Sequence, residues 1–287
     1  SSAASDVYKR QDLSHKDPHE LDVKLGGIIE IYEKFTGDDP RKVPMKIFPA
    51  VHYSMGGIYV DYDQMTTIPG LFAAGECDYS QHGGNRLGAN SLLSAIYGGM
   101  VAGPNAIKYV EGLDASYEDL DESIYTRAIE EEQEKWNTIL NMNGEENAYM
   151  LHKELGEWMT ANVTVVRHND KLQETDKKIQ ELMERFHNIN MDDTKAWSNQ
   201  GAFFTRQLWN MLELARVITL GAYNRNESRG AHYKPEFPER NDDEWLKTTK
   251  AFYQKGQAPR FEYEEVDVSL IEPRLRDYSK ASDGGKK

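Results

Sequence analysis

The alternation of apolar and polar positions divides the chain into an amino-terminal helical stretch, a glycine-rich middle and a long helical remainder. Asp17-Pro18-His19-Glu20 carries the signals of a helix start. Asp17 is an acceptor at the N-cap, Pro18 takes the first helical position, and Glu20 stands three residues after the cap. Leu21, Leu25, Ile28, Tyr32 and Phe35 then fall on one face, and Gly37 offers a left-handed exit, so an amphipathic surface helix is expected. Residues 48–105 have another pattern. They predict a short β-meander ending in an apolar strand over Gly70–Gly75, then the acid Glu76, a polar glycine loop from His82 to Gly88, and a helix opening at Asn90 and Ser91.

Past residue 105 the helical period returns. Helices are predicted over 117–140, 145–166, 171–186 and 201–220, and their short connections suggest an antiparallel bundle. Leu120, Ile124, Trp136 and Ile139 form the sparse apolar face of the first. Leu172, Ile179, Leu182, Met183 and Phe186 share a face of the third, as do Phe204, Leu208, Met211, Leu212, Ala215 and Ile218 of the fourth. Charge runs such as Glu130-Glu131-Glu132 read as solvated faces. From Tyr223 the chain is polar and proline-punctuated, and residues 280–287 are expected to be disordered. The first eleven residues, SSAASDVYKRQ, show no apolar period and read as tag-like or extraneous to the rest of the chain. No internal repeat is found.

Composition narrows the function classes. The chain has 287 residues and a formal net charge of -14, which disfavours nucleic acid as a partner because phosphate binding needs a basic face. It has no apolar run of the roughly 18 residues that a membrane span requires. No basic segment leading into an apolar one reads as a signal peptide. The single cysteine, Cys77, excludes an internal disulfide and an all-cysteine metal site, and it reads as ordinary packing.

Candidate chemistry gathers in the middle. The start of a helix presents unpaired amides and partial positive charge, which favour an anion or an electron-rich ligand edge. Arg86, between glycines just before the Asn90-Ser91 start, is either a solvated loop arginine or a bidentate grip on a carboxylate or phosphate. Glu76, after the predicted strand, is either a surface acid or an acceptor for ribose hydroxyls. His52 is either a structural histidine or a functional one, and Gly56-Gly57 after it would let a ligand or another backbone approach its ring. The eight histidines are scattered, so no metal set is predicted, and no Gly-x-Ser-x-Gly elbow is present.

These segments together carry a resemblance. His52-Tyr53-Ser54-Met55-Gly56-Gly57, Gly70-Leu71-Phe72-Ala73-Ala74-Gly75-Glu76, Asn85-Arg86-Leu87-Gly88-Ala89-Asn90-Ser91-Leu92-Leu93, and Glu227-Ser228-Arg229-Gly230-Ala231-His232 with Pro238 to Trp245 stand in the family's order. From residue 12 to about 279 the chain resembles the flavoprotein subunit of succinate dehydrogenase and fumarate reductase, and most of all the bacterial menaquinone type with a single cytochrome b anchor. The resemblance implies FAD as cofactor and succinate and fumarate as substrates. His52 and Arg86 match the family's carboxylate-binding residues. Glu76 matches the acid on the FAD ribose, and Asn90, Ser91 and Leu92 match the helix start facing the flavin pyrimidine edge. Hydride would pass between the polarised dicarboxylate and flavin N5.

The family's dinucleotide turn, covalent-flavin histidine and proton-shuttling arginine have no match here and belong upstream in the intact subunit, so no catalytic acid is assigned. A fragment of this kind is expected neither to hold FAD tightly nor to turn over succinate alone. The implied architecture is α+β / α/β: the carboxyl-terminal part of a Rossmann-like FAD-binding domain, then an antiparallel helical-bundle domain and a small carboxyl-terminal region. The implied boundaries are 1–11 extraneous, 12–50 end of a capping domain, 51–112 end of the FAD domain, 113–245 helical domain and 246–287 carboxyl-terminal region. Arg229 and His232 are expected to be structural or at an interface. Implied partners are an iron–sulfur subunit and a membrane-anchor cytochrome b subunit, which would hold the protein at the cytoplasmic face of the bacterial inner membrane. Two alternatives stand beside this reading: an L-aspartate oxidase-like flavoenzyme, sharing the His-Tyr-x-Met-Gly-Gly and Arg-Leu segments, and a non-enzymatic helical interaction module over 113–245.

Overall fold

The computed structural model describes residues 9–47, 52–88 and 90–274, and the chain divides into two units, Ser1–Ser54 and Met55–Lys287.

In the first unit, α1 (Pro18–Thr36) starts and stops where its sequence signals lie. Asp17 accepts from the Glu20 amide at 2.9 Å, and Gly37, at φ 76°, closes the last turn by donating to the Glu33 carbonyl at 2.8 Å. The buried stripe is Leu21 and Ile29 with Leu25 half-buried, a run of four-residue steps. Ile28 and Phe35, expected on that face, are instead 58% and 86% exposed. Arg41 ties the exit loop to the helix, pairing with Asp39 at 2.7 Å, Asp22 at 2.8 Å and Glu33 at 2.9 Å. Lys9–Gln11 lie within the stretch that composition sets apart. They nevertheless form strand β1, paired antiparallel with β2 (Met45–Ile47) with Arg10 opposite Lys46. Backbone pairing makes no demand on side-chain hydrophobicity, so composition could not show it.

The second unit opens with residues 55–88, where the expected meander and the strand over Gly70–Gly75 are not formed. Single bridges join Ile58 to Asp78, Val60 to Thr66 and Met65 to Phe72, and Gly75–Cys77 make a 3-10 turn. A ladder needs a continuous neighbouring strand, and these residues meet one another only at isolated positions. The loop then runs into α2 (Ser91–Glu111).

After α3 (Glu122–Leu140), three helices, α4 (Ala148–Asn162), α5 (Asn169–Phe186) and α6 (Gln200–Asn224), pack on one another. Their shared core contains Leu151, Leu155, Ile179, Leu182, Leu208 and Leu212. The five residues read on α5 face inward, with Met183 at the margin of the core. On α6 the buried line is Ala202, Thr205, Leu208, Leu212, Ala215, Thr219 and Ala222, so Ile218, expected inside, is 50% exposed. The carboxyl end of α3 reaches the core through Ile139 and Leu140, with Trp136 half-buried against it, while Leu120 and Ile124 are exposed. The acidic run of α3 is exposed, with Glu132 paired to Arg206 and Lys135. A four-residue helix α7 (Asp242–Trp245) leads into the antiparallel hairpin of β3 (Lys247–Phe252) and β4 (Arg260–Glu265). Sequence reading finds no strands there, because Arg260-Phe261-Glu262-Tyr263 alternates with period two but has low mean hydropathy. The tail expected to be disordered, 280–287, lies outside the described residues.

Candidate active site

The start of α2 is built as an uncapped set of donors. The first intrahelical bond runs from the Ser94 amide to the Asn90 carbonyl at 2.9 Å, so the amides of Ser91, Leu92 and Leu93 precede it. Asn90 stands at the N-cap with φ -91° and ψ 2°, outside the extended geometry that lets a cap side chain reach back, and makes no capping bond. No acid lies in the first turn. The Ser91 hydroxyl oxygen is buried and has no hydrogen-bond partner. Leu92 and Leu93 are 78% and 62% exposed. Partial positive charge, amides that precede the first intrahelical bond and an adjoining apolar surface thus coincide at one end of one helix.

Two segments lie against this helix. The Gly75–Cys77 turn, which carries the exposed Glu76, packs on its second and third turns: a Cβ on Gly75 would lie 3.7 Å from that of Ala95, and one on Gly98 would lie 3.3 Å from that of Ala74. The glycine loop is tied to it by His82, whose Nε2 lies 3.1 Å from the Ser94 hydroxyl; that hydroxyl in turn donates to the Ser91 carbonyl at 2.9 Å. Arg86, half-buried, sits in this loop with Nη1 3.4 Å from the Leu87 carbonyl. Glu76, Arg86, Asn90, Ser91 and Leu92 are therefore carried by α2 and by two segments packed along its first three turns. His52 is exposed and belongs to the Ser1–Ser54 unit, whereas the other candidates belong to Met55–Lys287.

Sequence reading gave Arg229 and His232 a structural or interface part but assigned none to Glu227 or Lys234 in the polar cluster behind the loop. Glu227 is fully buried and pairs with Arg225 at 2.6 Å and Arg229 at 2.9 Å, and it also accepts from the Asn241 amide at 3.1 Å. Burial alone would raise its pKa; the bonds from Arg229, Asn241 and Arg225 outweigh that and hold it below the usual carboxylate range. Lys234, also fully buried, donates to the Ala222 and Tyr223 carbonyls at 3.1 and 3.0 Å, to the Arg225 carbonyl at 3.2 Å and to Asn226 Oδ1 at 2.9 Å. It closes the carboxyl end of α6, where carbonyls lack helical partners. Its only signal in the sequence is a lysine shortly after a long helix.

Comparison with known proteins decides the family. The family model for the FAD binding domain matches residues 7–92, and that for the fumarate reductase flavoprotein C-terminus matches residues 152–278. The succinate dehydrogenase flavoprotein subunit of Bacillus subtilis (strain 168) is 78% identical over 270 residues, covering 94% of this chain and 46% of that protein. The chain belongs to the succinate dehydrogenase/fumarate reductase flavoprotein family. A solved quinol-fumarate reductase with menaquinol molecules superposes with a TM-score of 0.85 at 34% identity, covering 92% of this chain and 46% of that one. An E. coli quinol fumarate reductase gives 0.86 at 33% identity, covering 93% and 46%. The chain spans about half the length of the curated relatives it matches. Its architecture is accordingly FAD-binding-domain sequence followed by a helical domain. The family's cofactor is FAD, and the start of α2 fits such a group: donors without a competing carboxylate, a buried hydroxyl lacking a partner, and exposed apolar surface beside them.

Proposed function

We propose that this chain provides part of the dicarboxylate and flavin site of a succinate:quinone oxidoreductase, the flavoprotein that interconverts succinate and fumarate in the tricarboxylic acid cycle and electron transport. The observation that carries the reading is the uncapped, acid-free start of α2 with its orphaned Ser91 hydroxyl, in a chain whose matched relatives are flavoproteins.

In this reading Asn90, Ser91 and Leu92 hold the electron-rich edge of the flavin through backbone amides and the Ser91 hydroxyl. Glu76 accepts from the ribose of FAD. His52 and Arg86 bind the two carboxylates, and the Arg86 guanidinium, planar and permanently charged, orients and polarises the diacid. FAD, when bound, supplies the two-electron chemistry. Residues 12–50 are read as the end of a capping domain, 51–112 as the end of the FAD domain, 113–245 as the helical domain and 246–287 as the carboxyl-terminal region. On its own the chain would hold FAD weakly and not turn over.

Electrons would leave through an iron–sulfur subunit and a membrane-anchor cytochrome b subunit to quinone, at the cytoplasmic face of the bacterial inner membrane. A solved relative that holds menaquinol supports quinone as the electron partner. Among the described residues no helix is long and apolar enough to cross a membrane, which is consistent with membrane contact through partners. The test is turnover of the full-length flavoprotein with succinate and with L-aspartate, using an artificial electron acceptor. Oxidation of succinate and not of aspartate is expected; the reverse would overturn the assignment.

A further inference from the structure

The loop that carries Arg86 is held from behind by a turn far along the chain. Arg229 and His232 exchange backbone bonds, the Arg229 amide donating at 2.8 Å and the His232 amide at 2.9 Å, which closes a tight turn over Gly230 and Ala231. At its tip the Ala231 amide donates to the Gly84 carbonyl at 2.9 Å. The approach is backbone on backbone. A Cβ on Gly230, where φ is 60°, would lie 2.1 Å from the Gly84 carbonyl oxygen and 3.0 Å from the Asn85 nitrogen; one on Gly84 would lie 3.3 Å from Arg229 Cγ. At position 230 only glycine allows this contact, at 84 an added Cβ would press on the Arg229 side chain, and Arg86 comes two residues after Gly84.

The turn is itself anchored. Arg229 is forked onto Glu227 at 2.9 and 3.0 Å and reaches Asp242 at 2.6 Å. His232 lies 2.6 Å from Arg167 Nη1 and 3.0 Å from the Arg225 carbonyl. Lys234, just beyond, is bonded to the end of α6. With the His82 to Ser94 contact at its start, the loop is gripped from α2 on one side and from the helical domain on the other.

We infer that the Ser228–His232 turn is a positioning element for the substrate site: it sets the Gly83–Gly88 backbone, and with it the place from which Arg86 meets the dicarboxylate. This rests on the reading of Arg86 as the carboxylate grip. A turn that shifts this loop weakens the grip on the diacid in the ground state and the transition state alike, so the effect belongs in KM.

The experiment uses the holoenzyme and reads KM, kcat and flavin content for Gly230→Ala, Gly84→Ala, Arg86→Ala and Gly256→Ala. Gly256 has φ 70° with open space around it, so it imposes comparable backbone strain away from the loop. Gly230→Ala is expected to raise the KM for succinate at least about tenfold while kcat changes less than about threefold and flavin content is kept; Gly256→Ala leaves KM within about twofold. Gly84→Ala first meets flexible side-chain methylenes, so it folds and decides the matter if Gly230→Ala does not, with a KM rise of at least about threefold. An unchanged KM in the folded Gly84 and Gly230 variants, or a loss of flavin and active enzyme with KM unchanged, overturns the positioning role. An unchanged KM in Arg86→Ala instead overturns the reading of Arg86 itself.

Discussion

Arg167 Nη1 donates to His232 Nδ1 at 2.6 Å, an arginine bonded to a histidine rather than to an acid. The bond requires a neutral imidazole, whose Nε2–H then donates to the Arg225 carbonyl at 3.0 Å. Burial is the main cause that pulls the His232 pKa down to about 4 from its ordinary 6.5; the carbonyl bond opposes it, and the charges of Arg167, Lys234 and Arg225 add to it. The unfolded chain binds this proton below about pH 6.5 and the folded chain only below about pH 4, so stability falls as pH drops through that window. Denaturant unfolding should lose about 1 to 2 kcal/mol at about pH 5 relative to about pH 7 from this group, and His232→Gln should remove that part of the pH dependence.

Glu227 neutralises two guanidinium groups in a place water does not reach. Glu227→Ala should therefore destabilise by about 3 to 5 kcal/mol, because it leaves Arg225 without its only carboxylate among the described contacts. Calorimetric melting of the variant checks this, and Glu227→Gln, which keeps acceptors in place, should cost less.

The buried face of α6 and α5 can be tested by contrast. Leu182 has no exposed surface and Ile218 is half exposed. Leu182→Ala should cost about 2 to 5 kcal/mol in chemical denaturation and Ile218→Ala under about 1 kcal/mol. Equal losses would place Ile218 inside after all.

Arg86→Lys keeps the charge and removes the planar fork. On the proposed function the full-length enzyme should lose about 2 to 3 kcal/mol of dicarboxylate binding, seen as a KM for succinate about 30- to 160-fold higher. A KM unchanged by Lys would mean that Arg86 grips no carboxylate.

The ends of α1 were legible because Asp17, Pro18 and Gly37 act on backbone within a few residues of themselves. The helical faces were legible in the main, since burial has a 3.6-residue period; Ile28, Phe35 and Ile218 depart from it because a period gives a direction and the neighbour decides the width of the covered stripe. The start of α2 and its glycine loop were legible as motifs, whereas the strand expected over Gly70–Gly75 was not a local property, since a strand exists only when another backbone is beside it. The hairpin of β3 and β4 was hidden for a related reason: its residues are polar, and what holds it includes Arg225, which donates to the Lys247 carbonyl at 2.6 Å from the end of α6. Sequence alone thus determined both ends of α1, the approximate extent of α3 to α6 and which short segments carry candidate chemistry, because capping, glycine geometry and helical period act over a few residues. Tertiary structure decided that Gly230 meets Gly84, that Lys234 and Glu227 are buried, and that Arg86 stands on a loop held from two sides, because those contacts join residues whose separation along the chain has no periodic signature.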